Sequence, residues 1–588
     1  ERIDTIVRGW AERTPDAVAV RWSGTEFSYR QLVDEADRLA DGLRAIGLRP
    51  CDVVAGQLPR TPDLVCLLLA VLQVGAIYTL MPLDWPTARR GEVLDLTGAR
   101  ICVSADADAF EAETPMVSLE RLRLAEPGAL PSRTAGRPAL DEHLGDLSEA
   151  CCVFFTSGST GRPKCAVAPH RGVIRVAMDP ESAFNSSTVL LQSASMAWDL
   201  FAFELWSPLL NGGTAVLRSS DYFSYDDLRL AIKDGVNTVF LTPTLFNGAV
   251  ADDIEVLSGV RTVFIGGDRA SAKSVETFLN RFPGSAVINL YGPVEATIWI
   301  SRYRMTSIED FDDDVPVGSP GVWTDVYLLD DDRNVVGLGE IGEIAAAGPG
   351  LAFGYLGNAE ETAKRFRMLP LGPGGAEIRV YLTGDFGSID DDGRLRFHGR
   401  RDRQVKIQSV RVEPHEVERV VGELPGVNAV VAMPIPVGAI QPDGIALIYA
   451  TGQSSTPRPD EVREAVQATL PVAFVPRVIR QVDSLPLNAY EKLDQQRITK
   501  LIVEAAEERA GASGRPERTP LMTLLLEIEA LTGVPAAMDS DVVKLGLTSI
   551  SGLKLINRMR AIHGIRLPMN VIFRSRTPEA IAQWIAEH

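Results

Sequence analysis

Positive charge is in short supply here. The 588 residues hold 59 Lys and Arg against 78 Asp and Glu, a formal net charge of −19. A broad nucleic-acid surface requires clustered Lys and Arg, so no nucleic-acid partner is expected. Cysteine is sparse too. All six (Cys51, Cys66, Cys102, Cys151, Cys152 and Cys165) lie in the first third, and none forms a CxxC pair. Buried, reduced thiols in a reducing cytoplasm are the expectation. Long apolar runs are missing. No stretch approaches the roughly 20 residues of a membrane helix, and the N-terminus shows no charged start leading into an apolar core and cleavage site. A cytoplasmic protein with no membrane partner is therefore expected. The length exceeds what one hydrophobic core serves, so two to four domains should be present.

What is present is an alternation of short apolar runs with longer amphipathic ones over the first 400 residues. Val53–Leu58, Cys151–Thr156, Thr238–Thr242 and Thr262–Ile265 read as strands, and Tyr29–Ile46 and Pro62–Val74 as helices. That order implies α/β layers around mostly parallel sheets. Past Gly399–Arg403 the pattern changes, with Gln404–Val412 and Ala429–Met433 as strands of a smaller α+β unit. Residues 507–519 are polar and aperiodic, a linker by composition. The last 70 residues or so read as helices. The expected divisions are 1–400, 401–506, the linker 507–519, and 520–588.

The sharpest local signal is Phe154-Phe155-Thr156-Ser157-Gly158-Ser159-Thr160-Gly161-Arg162-Pro163-Lys164. An apolar strand runs into two glycines and four hydroxyl residues. Glycine lets the backbone curl its N–H groups inward at an anion, and the hydroxyls add donors. It is not a Walker loop, which has Lys-Ser/Thr directly after its second glycine.

With this string, the sequence resembles the adenylate-forming superfamily, and within it the adenylation domains of nonribosomal peptide synthetases. Further motifs follow in the family's order: Phe27–Leu32, Gly75–Tyr78 with Pro82–Asp84, Asn289–Glu295, Gly342–Ile344 with Gly354–Leu356, Tyr381–Asp385, Gly399–Gln404, and Leu485–Leu487 leading to Lys492. The resemblance implies a large N-terminal subdomain and a small mobile α+β C-terminal subdomain. It implies an enzyme that joins a carboxylate to ATP and passes the acyl group to a thiol. Thr156, Ser157, Gly158, Ser159, Thr160, Gly161 and Lys164 would hold phosphates, and Glu295 a Mg²⁺ ion. Tyr291, Asp385 and Arg400 would bind the nucleoside. Lys492 would bridge substrate carboxylate and α-phosphate, and Asp402 would be the hinge for subdomain rotation. Val294, Gln408-Ser409 and Tyr490-Glu491 depart from the family's usual residues.

Met196–Glu204 matches the family's pocket motif, in which Asp199 would pair with an α-ammonium. An acidic residue in so apolar a run suggests a cationic partner. The other implied pocket positions are Leu200, Phe203, Leu241, Phe264, Gly266, Leu290, Ile298 and Trp299, with Lys492 at the far end. Their bulk and apolarity favour glycine or alanine as substrate, with cysteine also in view.

Asp541–Ile550 resembles the attachment motif of carrier proteins, which implies 4′-phosphopantetheine on Ser549 in an all-α four-helix domain. As a lone feature, Ser549 would read as a helix cap. Ile550, Leu553, Ile556 and Met559 then mark a helix. The implied partners are a small amino acid, a phosphopantetheinyl transferase and downstream biosynthetic enzymes, since HHxxxDG and GxSxG strings are absent. Need for a small MbtH-like helper protein stays open. Two alternatives remain: a stand-alone acyl or aryl-acid ligase with a carrier, and an inactive loading scaffold.

Overall fold

In the computed structural model, the chain is described except at residues 84, 106–113, 125–141, 157–162, 219–222, 313–314, 401–404, 408–409, 436–443, 452–456, 484, 487–494, 512–518, 533, 548, 566 and 588. It divides into two compact units. The first holds Glu1–Thr156, Pro163–Ser219 and Leu230–Asp402; the second is built on Arg403–His588.

Among the described residues, two parallel-rich sheets and one antiparallel sheet lie in the first unit. The six-stranded sheet runs Met116–Ser118, Ile101–Ser104, Val53–Gln57, Ile77–Leu80, Ala150–Thr156, Lys164–Pro169, and only the last strand is antiparallel to its neighbour. Val53–Gln57 is buried at every residue, as expected of a parallel strand covered on both faces. The nine-stranded sheet has a parallel centre in the order Ala286–Tyr291, Thr262–Gly266, Thr238–Leu241, Val189–Gln192, Thr214–Leu217, Val18–Trp22. An antiparallel sheet follows, with Ile378–Ile389 paired to Gly342–Ala347, Phe366–Leu369 and Leu395–Arg400.

Local chemistry sets the helix starts. Ser28 and Gln31 form a capping box: the Ser28 Oγ accepts from the Gln31 N–H, and the Ser28 N–H donates to Gln31 Oε1. The helix Tyr29–Ala45 then buries Leu32, Ala36, Leu39, Ala40 and Leu43 on one stripe. Pro62 opens the next helix, where its missing N–H costs nothing.

In the second unit, Val427–Ile435, Gly444–Thr451 and Val478–Val482 make a three-stranded sheet flanked by the helices Pro414–Gly422 and Pro459–Thr469. Where one strand was expected over 404–412, two short strands, Val405–Ile407 and Val410–Val412, pair antiparallel. The helix Gln495–Gly511 takes in residues 507–511, which the composition had placed in a linker; Gly511 sits at its end, where a glycine disrupts nothing. Residues 512–518 lie outside the described residues. Among the described residues, four helices follow: Pro520–Thr532, Ser549–His563, Met569–Ser575 and Pro578–Glu587. Leu524, Ile528, Leu555, Met559, Ile572 and Ile581 form their core. No helix among the described residues is long and apolar enough to cross a membrane. All six cysteines are free thiols, and burial pushes Cys165 up to about 12.

Candidate active site

Strand ends assemble the candidate substrate pocket. Leu241, Phe264 with Gly266, and Leu290 lie at the carboxyl ends of three adjacent parallel strands, with Leu241 beside Ile265 and Gly266 beside Leu290. In open α/β sheets, ligands bind beyond such ends. A Cβ on Gly266 would come within 2.7 Å of the Leu290 carbonyl, so only glycine fits. Phe203, Phe264, Leu290, Ile298 and Trp299 belong to one buried cluster, and the partly buried Leu200 packs against it.

A residue with no signal in the sequence joins them. Phe184 stacks on Phe264, with centroids 5.3 Å apart, and meets Phe203 edge-on at 5.7 Å; Phe203 and Phe264 are themselves T-shaped at 5.2 Å. Three rings thus fill space beside the strand ends.

Asp199 is the first residue of the helix Asp199–Leu210, and it is half-buried rather than buried. At a helix N-terminus the unpaired N–H groups favour a carboxylate, so its charge has support before any ammonium arrives. It is close enough to act on Cys152, whose thiol is pushed up by burial first and by Cys151 and Asp199 besides. Asp199 therefore lies near the strand that feeds the Ser/Gly/Thr loop. The loop preceding this helix is pinned by Glu204, which accepts from the Ser193 and Ala194 N–H groups at 2.8 Å each and from the Ser193 hydroxyl. Burial raises Glu204 to about 7, against those hydrogen bonds.

The nucleoside residues come together. Asp385 accepts a 2.6 Å hydrogen bond from the Tyr291 hydroxyl and an ion-paired one from Arg400. Burial and the adjacent carboxylate push the Tyr291 phenol well above its usual range, so it remains a donor. Nearby in sequence, Glu295 is fully buried and accepts from the Tyr355 hydroxyl at 2.7 Å.

Thr156 ends its strand buried, with its hydroxyl unpartnered, an orphan polar atom at the mouth of the expected phosphate loop. Ser157, Gly158, Ser159, Thr160 and Gly161 lie outside the described residues, as do Lys492 and Asp402. Lys164 opens the next strand, and its ammonium is held 2.7 Å from the Glu361 carboxylate, with Tyr355 below it. A phosphate role for Lys164 thus has to coexist with a buried ion pair that the motifs did not reveal. Ser549 opens its helix, as the attachment motif implies.

Comparison with known proteins accounts for this arrangement. The family model AMP-binding enzyme matches residues 7–356, and that of the phosphopantetheine attachment site matches residues 523–585. The chain is 32% identical to a dimodular nonribosomal peptide synthase of Bacillus subtilis over 97% of its own length, and 30% identical to malpibaldin synthetase of Mortierella alpina over 98%. It spans 24% and 10% of those proteins. Among solved structures, holo-PA1221, an NRPS protein containing adenylation and PCP domains, superposes with a TM-score of 0.80 at 26% identity, covering 100% of this chain and 97% of that one. The N-terminal subdomain of Klebsiella oxytoca NpsA, in complex with 3-hydroxyanthranilyl-AMSN, gives 0.60 at 27%, covering 68% of this chain and 100% of that one. Enzymes of this kind are adenylating ligases that use ATP with Mg²⁺, and the attachment domain carries 4′-phosphopantetheine. The chain belongs to the AMP-binding enzyme family, as a nonribosomal peptide synthetase adenylation domain joined to a peptidyl carrier domain.

Proposed function

We propose that this chain activates a small α-amino acid, glycine or alanine before cysteine, as its aminoacyl adenylate and transfers it to its own carrier. The observation that carries the reading is the Phe184–Phe203–Phe264 cluster, in the same buried core as Trp299, with Phe203 on the helix whose first residue is Asp199. Such walls leave room for little beyond the Cα, while Asp199 meets the ammonium. Clashes with a packed wall exclude larger side chains strongly, whereas one missing methylene costs only about 1–3 kcal/mol.

The substrate carboxylate attacks the α-phosphorus of ATP, a new C–O–P linkage forms, and pyrophosphate leaves. Charge grows on phosphate oxygens, so cations and aimed N–H groups do the stabilising. Thr156 through Gly161 would hold the outer phosphates with Lys164. The orphan Thr156 hydroxyl supports this. Asp385, fixed by Tyr291 and Arg400, offers the ribose hydroxyls a rigid acceptor. Lys492 would join the two reacting anions, and rotation about Asp402 would then exchange that lysine for the thiol entrance. Mg²⁺ typically takes one or two protein carboxylates and leaves the rest to phosphates and water, so the buried Glu295 carboxylate fits; there the ion would offset phosphate charge. A 4′-phosphopantetheine on Ser549, installed by a phosphopantetheinyl transferase, would supply the accepting thiol. Downstream synthetase enzymes would use the product, and an MbtH-like helper protein remains a candidate partner.

An aryl acid is the competing substrate, because the NpsA subdomain was solved with an anthranilyl-type ligand. Asp199 argues against it, since a benzoate brings no ammonium to that position. Pyrophosphate exchange with an amino-acid panel plus benzoic and anthranilic acids decides between them. Glycine or alanine should lead, with Leu, Phe, Asp, Lys and both aryl acids near background. An aryl acid or bulky residue in the lead would overturn the reading.

A further inference from the structure

Trp299 and Ile298, two of the pocket positions, lie on backbone that does not hold its shape unaided. Thr297 has φ 55° and Ile298 φ 77°, two consecutive β-branched residues in the left-handed region. That conformation is a genuine outlier for such side chains and persists only where surroundings over-determine it. The surroundings here converge on Arg175, in the helix His170–Ala177.

Arg175 is 1% exposed and lacks an acidic partner within ion-pair reach among the described residues. Its Nη2 donates to the carbonyls of Ala296 (3.0 Å), Thr297 (3.2 Å) and Trp299 (2.6 Å), and its Nη1 to the Thr324 hydroxyl (2.7 Å). The guanidinium also sits 5.4 Å from the centre of the Trp299 ring. One turn earlier in the same helix, Gly172 lets Thr297 pack directly on the helix. A Cβ there would lie 2.5 Å from the Thr297 Oγ1. That hydroxyl is itself tied to the Gly350 carbonyl at 2.7 Å. Burial works against the charge and lowers the guanidinium to about 10, with Asp179 offsetting part of that cost, so the cation is kept dry against carbonyls, a hydroxyl and a ring.

We propose that Arg175 is a positioning residue for substrate selection: by gripping three carbonyls of residues 296–299, it holds Ile298 and Trp299 as the closing wall of the amino-acid pocket. It does not line that pocket, and it acts through the turn. The planar fork explains why arginine serves and lysine does not, because a single ammonium cannot span three carbonyls and a hydroxyl. The inference rests on the pocket assignment of the proposed function.

The test uses the whole chain, in pyrophosphate exchange over an amino-acid panel, with KM measured separately for amino acid and for ATP. Arg175→Lys should raise the KM for the preferred amino acid roughly tenfold, as expected for lost charge-assisted hydrogen bonds, and leave the KM for ATP within about twofold. Its relative rate on longer apolar amino acids should rise. Thr324→Val removes one rim partner while the arginine stays, and should shift selectivity in the same direction by a smaller factor; it keeps the question open to measurement if the lysine variant does not fold. Trp299→Ala serves as the pocket control. If that control broadens the substrate range while a folded Arg175→Lys and Thr324→Val match wild type, the positioning role is wrong. Parallel rises in both KM values would mean a general structural effect and overturn it as well. If Trp299→Ala itself leaves the panel unchanged, the pocket assignment fails and takes this inference with it.

Discussion

Glu361 offers a test of how Lys164, which opens the strand after the Ser/Gly/Thr segment, is anchored. Its carboxylate faces Lys164 at 2.7 Å, Arg365 at 3.3 Å and Lys364 at 3.9 Å, and the Lys164 and Glu361 side chains are only 6% and 11% exposed. Burial acts to raise the Glu361 carboxyl, yet the Lys164 hydrogen bond and the surrounding positive charge bring it below its ordinary 4.5. Breaking a buried pair by removing one partner costs about 3–5 kcal/mol. Glutamine keeps one accepting oxygen for Lys164, so Glu361→Gln should cost less, about 2–3 kcal/mol. A unit of several hundred residues melts with an entropy near 2.1 cal/mol/K per residue, which makes this a fall of about 2–4 °C. Scanning calorimetry at neutral pH would resolve it. Because the folded-state value is depressed, the stabilisation is complete above pH 4.5 and disappears as pH falls through the folded value. The gap between wild type and Glu361→Gln should therefore close on acidification. Equal melting temperatures at pH 7, or a gap that widens with acid, would refute the argument.

Three further outcomes follow from the site. Lys164→Ala should raise the KM for ATP roughly tenfold or more while Glu361→Gln moves it little, if the lysine meets phosphate as well as glutamate. Asp385→Asn leaves Arg400 and the Tyr291 hydroxyl without their anionic acceptor, so the KM for ATP should rise and the ranking of amino acids in the exchange panel should stay the same. Lys492→Ala should reduce adenylate formation by orders of magnitude while sparing thioester formation from a supplied aminoacyl adenylate. Equal loss in both steps would count against subdomain alternation.

How much of this could be read from the chain depended on whether the contact was local. The strand before the Ser/Gly/Thr loop, the helix opened by Ser28 and the helix opened by Ser549 all rest on residues a few positions apart, and each stands within a residue or so of expectation. The Tyr291–Asp385–Arg400 cluster was visible only through motifs, since Tyr291 and Asp385 are 94 residues apart. Residues outside any motif stayed hidden. Arg175 reaches Trp299 across 124 positions and Lys164 reaches Glu361 across 197; Phe184 sits in a polar loop with no periodicity to mark it. Asp199 lies in an apolar run, yet as the first residue of its helix it is only half-buried, which the run alone does not reveal. In the last domain, spacing by threes pointed to Ile550, Leu553, Ile556 and Met559; among the described side chains Leu555 and Met559, four apart, are fully buried and Ile556 only partly.

One chain should both make an acyl adenylate and carry the acyl group it makes. Intact-mass measurement tests it most directly. The phosphopantetheinylated chain is incubated with ATP, Mg²⁺ and the amino acid that leads the exchange panel, beside a Ser549→Ala chain treated identically. The wild-type chain should gain a mass equal to one aminoacyl group, released by a competing thiol, and Ser549→Ala should gain none although its exchange activity is unchanged. Loading that persists on Ser549→Ala, or exchange with no loading of the phosphopantetheinylated wild type, would contradict it.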